Sequence, residues 1–383
     1  PLPLAGEGRD ARGFARYAVT MTLTTAIGLM SGTSMDGIDA ALIDTDGESV
    51  VIPRGFTFLP YDADFRPRLK SAVARGLELV RPGADPLIDA VAAELTGLHA
   101  IAVAKLRAET GNPPVDLIGF HGHTVAHRPG TPAKPGFTWQ IGDGAMLSMV
   151  TRLPVWFDFR SADVGAGGQG APLAPGYHRA RSAGLGRPLG VLNLGGVGNL
   201  TWFAEDRTWG SFDTGPGNAL IDDWVHAATG ASFDKGGALA AAGSVHDDVL
   251  TALLYQPWFD LAPPKSLDRN AWDIQPARGL SPADGAATLT AFTAETVRLA
   301  LGHVPPISRL LVTGGGRHNP VLMRELAART GVPADPVEAV GWHGDALEAE
   351  AFAWLAVRAA AGKPISWPET TGVPAPMTGG RRG

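Results

Sequence analysis

One device occurs twice in this chain, at widely separated places. Apolar runs at 24–30 and 38–44 flank Ser31-Gly32-Thr33-Ser34-Met35-Asp36-Gly37, and the run beginning at Leu189 enters Gly195, Gly196 and Gly198 before a second run leaves through Leu200 to Phe203. Each reads as strand, tight turn, strand. Duplication at such a distance predicts two similar halves facing one another. The length of 383 residues agrees, because it exceeds what one hydrophobic core sustains. Two domains with a cleft between them are expected, the first from residues 21–150 and 345–383, the second from 151–344. Residues 1–20 carry three arginines but lack the apolar core and cleavage site of a secretory signal. They read as a leader outside the fold, with Met21 a candidate natural start.

Helices and strands fill the space between the two turns. Leu87, Val91, Leu95, Leu98, Ala102 and Leu106 recur at helical spacing through 86–110, and a buried-type strand at 115–120 runs into His121-Gly122-His123-Thr124, then a proline-rich loop to Gly136. Further helices are expected at 219–228, 286–302, after Pro320 and at 345–361. The tail beyond Gly362 holds four prolines and reads as surface chain. Hydrophobic residues make up 45% and charged residues 18%, an ordinary globular mix. The net charge of −6 argues against broad nucleic-acid binding, and the lack of cysteine removes thiolate chemistry. No uncharged apolar run approaches the ~20 residues of a membrane span, so no membrane partner is expected, and the lack of cysteine fits a cytoplasmic location.

Converging backbone N–H groups hold phosphates, and glycine permits the close approach this needs. Gly32 to Asp39 fit such a turn. Thr33 and Ser34 add hydroxyls, and Asp36 and Asp39 could hold Mg²⁺ between themselves and a phosphate chain. A plain hairpin explains the same residues. The P-loop pattern is absent. A third glycine turn, Gly314-Gly315-Gly316, follows a strand, so two hairpins and a strand-turn-helix unit occur in the order found in actin-like kinases. Asp213 and Gly215, before a helix start, add either a nucleotide contact or an N-cap.

The stretch from Phe157 to Pro172 leaves a strand, presents Asp158, Arg160 and Asp163, and then runs through four glycines between 165 and 170. So much glycine beside a carboxylate suits backbone lying against a ligand. Asp163 is the first candidate for general base, or else a loop cap. Asp158 and Arg160 read as a local ion pair. Glu348 shares the apolar face of Phe352 and Leu355 on the last helix, which implies a partner or a task; Glu350 reads as solvated. His121, His123 and His127 lack identifiable further ligands for zinc and read as ligand-contacting or structural.

Taken together, IGLMSGTSMDGIDAAL, GFHGHTVAHRP, TWQIGDGAML, FRSADVGAGGQGAPLAP, LNLGGVGNLTW, FDTGPGNALIDDW, PPKS, LLVTGGGRHNP and DALEAEAFAWLA resemble the anhydro-N-acetylmuramic acid kinases in order and along nearly the whole chain from Thr25. The resemblance implies an α/β, two-domain actin-like (ribonuclease H-like) sugar kinase fold with an interdomain cleft. It also implies use of ATP and Mg²⁺ to convert 1,6-anhydro-N-acetylmuramic acid into N-acetylmuramic acid 6-phosphate in peptidoglycan recycling. Water would open the anhydro bridge at C1 while O6 takes the γ-phosphoryl group. Asp163 then matches the base that activates water, and Glu348 a cleft glutamate near the sugar. Gly32, Thr33, Ser34, Met35, Asp36, Gly37, Ile38 and Asp39 match the ATP-contacting turn, joined by Gly195, Gly196, Asn199, Asp213, Gly215 and Gly314 to Gly316. His121, Gly122, Gln140, Arg160, Gly168 and Gln169 fall on the sugar side, and a homodimer is implied.

Two departures stand out. His123 replaces the family's usual glutamine, and PPKSLDRN replaces PPKSTGRE. Other readings of the chain are a kinase of the same fold acting on a plain hexose, a non-catalytic nucleotide-dependent sugar sensor, and a zinc hydrolase using the histidines.

Overall fold

The computed structural model describes residues 22–79, 81–130, 135–267 and 272–383. The expected leader at 1–20 and residues 268–270 of the PPKSLDRN segment lie outside them. Twelve strands are found among the described residues: β1 (Thr24–Ser31), β2 (Gly37–Thr45), β3 (Val51–Pro60), β4 (Leu117–Arg128), β5 (Phe137–Ile141), β6 (Val155–Phe157), β7 (Leu189–Leu194), β8 (Val197–Phe203), β9 (Trp209–Pro216), β10 (Leu310–Thr313), β11 (Ala334–Pro336) and β12 (Arg381–Arg382).

They form two sheets, ordered β12-β6-β4-β1-β2-β3, with β5 beside β4, and β11-β10-β7-β8-β9. In the first, β1-β2 and β2-β3 are antiparallel while β1-β4 and β4-β6 are parallel. In the second, β7-β8 and β8-β9 are antiparallel while β7-β10 and β10-β11 are parallel. The five-strand plan is therefore the same in both, each with a glycine turn closing its first hairpin. This is the duplicated, ribonuclease H-like architecture of the actin-like sugar kinases. Because β6 pairs with β4, a division at residue 150 cuts before the first sheet is complete; we propose a division beyond Phe157 instead.

Central strands of both sheets are apolar and buried, as strands covered on both faces must be. One face of the first sheet, with Ile27, Leu29, Ile38 and Leu42, meets Ala102, Val103 and Leu106 of the helix Pro86–Glu109. That helix is long and apolar enough to cross a membrane by composition alone, yet it buries one stripe against this sheet. The other face meets the helix Leu347–Ala360. A Cβ at Gly28 would lie 1.8 Å from the Ala349 carbonyl oxygen, and one at Gly119 2.0 Å from that of Phe352. Bare backbone on the sheet and alanines on the helix thus allow unusually close packing. The opposite side of the same helix shares a core with Tyr177, Leu189, Val191 and Leu311, so it is buried all round and serves both halves.

Two expectations are corrected. The helix expected from Ala286 begins at Pro282, because Ser281 Oγ accepts from the Asp284 amide at 3.1 Å and proline suits the first turn. The tail is not surface chain: Ile365, Ser366, Thr370, Thr371 and Val373 are buried, and the chain then returns to pair β12 with β6. Its prolines shape turns in a segment held by its neighbours, such as the Arg358 guanidinium, which donates to the Pro364 carbonyl at 2.6 Å.

Candidate active site

Parallel strands of both sheets end on the same side of their glycine turns, the usual place for ligands in open α/β sheets. In the first turn the Met35 amide donates to the Gly32 carbonyl at 3.1 Å, and Ser34 Oγ donates to Asp36 Oδ1 at 2.6 Å. Asp39 follows on β2. Burial, then the neighbouring Glu348, Asp36 and Asp345 carboxylates, push its carboxyl up to about 8. Among the described residues no three His, Asp or Glu side chains come close enough to hold an ion together, which also leaves the zinc reading without a ligand set.

The second and third turns share a wall. Asn218 links them: its amide donates to the Gly195 carbonyl at 2.7 Å and its side chain to the Leu194 carbonyl at 2.7 Å, and Gly217 N–H reaches Gly196 at 3.0 Å. Gly314 has φ of +75°, and a Cβ there would lie 2.4 Å from Asn193 Oδ1; one at Gly316 would lie 2.6 Å from the Leu194 side chain. Asn199 and Asp213 are cross-strand partners on β8 and β9. Asp213 is not at a helix start and caps nothing: it accepts from the Leu267 amide at 2.8 Å, and Asn218 precedes the helix Ala219–Thr229. Gly215 packs against Thr296 of the helix Pro282–Leu301.

Glu348 joins the halves. It stands in the first turn of the helix between the sheets, and its Oε1 accepts from Asn193 Nδ2 on β7 at 3.1 Å. It opens to solvent, yet the enclosing protein raises its proton affinity, an effect opposed by Asn193 and Arg160. Glu350 is not solvated. It is buried, accepts from the Tyr177 hydroxyl, and is pushed up by that burial, because its side of the helix packs into the core that contains Tyr177.

Arg160 does not pair with Asp158, which instead meets Arg381 at 3.3 Å. It donates to His121 Nε2 at 3.1 Å and to the Gly170 carbonyl at 2.8 Å. His121 Nε2 must then accept, so its Nδ1 carries the proton and donates to the Gly122 carbonyl at 2.9 Å. Burial and the adjacent Arg160 hold His121 neutral. Burial also lowers Arg160 to about 10, against the opposing pull of Glu348 and Asp163. Arg160 therefore lies within electrostatic reach of both carboxylates that sequence reading singled out. His121, Gly122 and Gln140 line a cavity of about 330 Å³ with Thr138, Trp139 and Ser161.

Asp163 sits in the short helix Ser161–Gly165 and is 1% exposed. Its Oδ1 accepts from the Gly170 amide at 2.7 Å, and its Oδ2 from Ser366 Oγ and from Thr371 Oγ1, the latter at 2.6 Å. A Cβ at Gly168 would lie 2.2 Å from Oδ1, so this glycine is required for the loop to close on the carboxylate. Gln169 ties the loop to the PPKS segment by accepting from Ser266 Oγ at 2.6 Å. Ser366, Thr371 and Asn193 are contacts that sequence reading missed. The hydroxyls of Ser366, Thr370 and Thr371 were visible in the sequence, but nothing local tied any of them to Asp163.

The description "Anhydro-N-acetylmuramic acid kinase" matches residues 24–381. The chain belongs to the anhydro-N-acetylmuramic acid kinase family. It is similar to the anhydro-N-acetylmuramic acid kinase of Rhizorhabdus wittichii, at 56% identity over 94% of this chain and 99% of the relative. It is also similar to that of Paramagnetospirillum magneticum, at 52% identity over 93% and 98%. Membership in the anhydro-N-acetylmuramic acid kinase family makes the chain a phosphotransferase acting on a small sugar, in keeping with the two facing glycine hairpins.

Proposed function

We propose that the enzyme couples hydrolytic opening of the 1,6-anhydro bond to phosphorylation at O6. The observation that carries this reading is Asp163: a buried carboxylate on a glycine-rich loop, with Arg160, which donates to the Gly170 carbonyl of that loop, within electrostatic reach of it and of Glu348. Asp163 takes a proton from water, the water oxygen bonds to C1, and the C1–O6 bond breaks. The released O6 attacks the γ-phosphorus of ATP, and the bond from that phosphorus to the β-phosphate oxygen breaks to give ADP and N-acetylmuramic acid 6-phosphate. One carboxylate suffices because the strained acetal supplies its own nucleophile.

The turns at Gly32–Asp36, Gly195–Gly196 and Gly314–Gly316 would grip the nucleotide, with Asn199, Asp213 and Gly215 behind the second. His121, Gly122, Gln140, Gly168 and Gln169 would contour the sugar side, with Arg160 supplying positive charge within reach of both carboxylates. Mg²⁺ would neutralise phosphate charge; Asp36 and Asp39 would hold it, and one or two carboxylates plus phosphate oxygens is its habitual shell. The raised proton affinity of Asp39 fits a group whose cation partner is part of the working site.

Turnover in ¹⁸O-labelled water tests the coupling. Label at C1 of a 6-phosphorylated product is expected, and an unlabelled product would overturn it. Asp163→Asn should lower turnover by at least about a hundredfold while the protein keeps its fold; normal turnover would remove Asp163 from this role.

A further inference from the structure

Asp163 is held by chain far away in sequence. Ser366 and Thr371 lie 203 and 208 residues beyond it, both are buried, and both donate to the same oxygen, Oδ2. The Gly170 amide donates to Oδ1. An ionised carboxylate offers about four acceptor positions, two on each oxygen. Both positions on Oδ2 are therefore taken, and one on Oδ1.

We infer that Ser366 and Thr371 are positioning residues for Asp163: by filling Oδ2 they leave one accepting lone pair, on Oδ1, and so decide which oxygen takes the proton. This rests on the reading of Asp163 as the base. Two further contacts agree. Gly168, which must lack a side chain, lies closer to Oδ1 than to Oδ2, since a Cβ there would be 2.2 Å from the first and 3.0 Å from the second. The Thr371 carbonyl also accepts from the Gln169 amide at 2.7 Å, so one residue fixes both the carboxylate and the glycine loop beside it. Rotating the carboxylate partway about Cβ–Cγ would break these three donor contacts, so the plane of the group, and with it the direction of the remaining lone pair, is fixed. The tail is itself anchored on both halves, since β12 pairs with β6 and Trp367 meets Trp209 edge-on at 5.4 Å.

The test is steady-state kinetics of Thr371→Val, Thr371→Ser and Ser366→Ala with ATP, Mg²⁺ and 1,6-anhydro-N-acetylmuramic acid. A hydrogen bond to a charged group is worth enough that Thr371→Val should lower kcat about ten- to hundredfold. Both KM values should stay within about twofold, since the hydroxyl acts on the reacting step and not on uniform binding. Thr371→Ser should recover most of the loss, which a purely packing role for the threonine methyl would not allow. Ser366→Ala should behave like Thr371→Val, and it decides the matter if the valine variant fails to fold by circular dichroism. Unchanged kcat in the folded variants, or a loss confined to KM that serine does not restore, overturns the inference. If Asp163→Asn is inactive while these variants turn over normally, only the positioning role falls; if Asp163→Asn turns over normally, the base reading beneath it falls.

Discussion

Glu348 and Glu350 stand two residues apart on one helix and meet opposite fates. The first faces the cleft and Asn193; the second is buried against Tyr177. Periodicity could not separate them, because it locates a wet face only when a helix has one. Asn193→Ala should leave Glu348 without its donor across the cleft and lower kcat/KM about tenfold, with little change in melting temperature, as measured by kinetics alongside a thermal melt. Asp213 gives a pH signature. Burial pushes its carboxyl up to about 7, well above the ordinary carboxylate range, despite the Leu267 amide. A raised carboxyl contributes stability that is fully present below the unfolded value and is lost as pH rises through the folded one. Asp213→Asn keeps an acceptor for Leu267 and has no charge to bury. Its melting temperature should therefore gain on the parent between about pH 4 and 7 and hold that gain above. A constant difference across that window would show that Asp213 does not titrate there.

The helix Leu347–Ala360 is the element on which the site depends, since it carries Glu348 and touches both sheets. Gly119→Ala would put a methyl 2.0 Å from the Phe352 carbonyl oxygen. We expect a loss of about 1–3 kcal/mol, read from the urea midpoint, and a fall in kcat as the helix shifts. Elements such as this one were legible: its period, the apolar strands and the glycines that end them are local signals. So was the glycine-dense loop around Asp163. What holds that carboxylate was not legible, because Ser366 and Thr371 come from a segment whose prolines suggested surface chain, and no local pattern records a partner two hundred residues away. The same limit hid the true partners of Arg160 and Asp158, which are set by β4 and β12 rather than by each other.

At the scale of the whole molecule, two sheets of one plan share a single helix, and the glycine turns of both face the region around Asp39, Glu348 and Asn193. A nucleotide held from both sides stabilises the native state by mass action, about 2.7 kcal/mol at a hundredfold excess over Kd. Thermal melts with ATP and Mg²⁺ should thus show a clear upward shift, and EDTA should remove most of it; an EDTA-insensitive shift would count against a cation at Asp36 and Asp39. The order in which the ribosome makes these parts adds a further consequence. Strands β1 and β4 emerge early, but the helix that covers their second face, Leu347–Ala360, is made more than two hundred residues after β4 ends at Arg128. At roughly 5–20 residues per second, a nascent chain would carry that uncovered apolar sheet for on the order of ten seconds or more. Chains halted before Leu347 should accordingly recruit chaperones and be cut readily by protease, and the enzyme would acquire its shape and its activity together, only once that helix has been made.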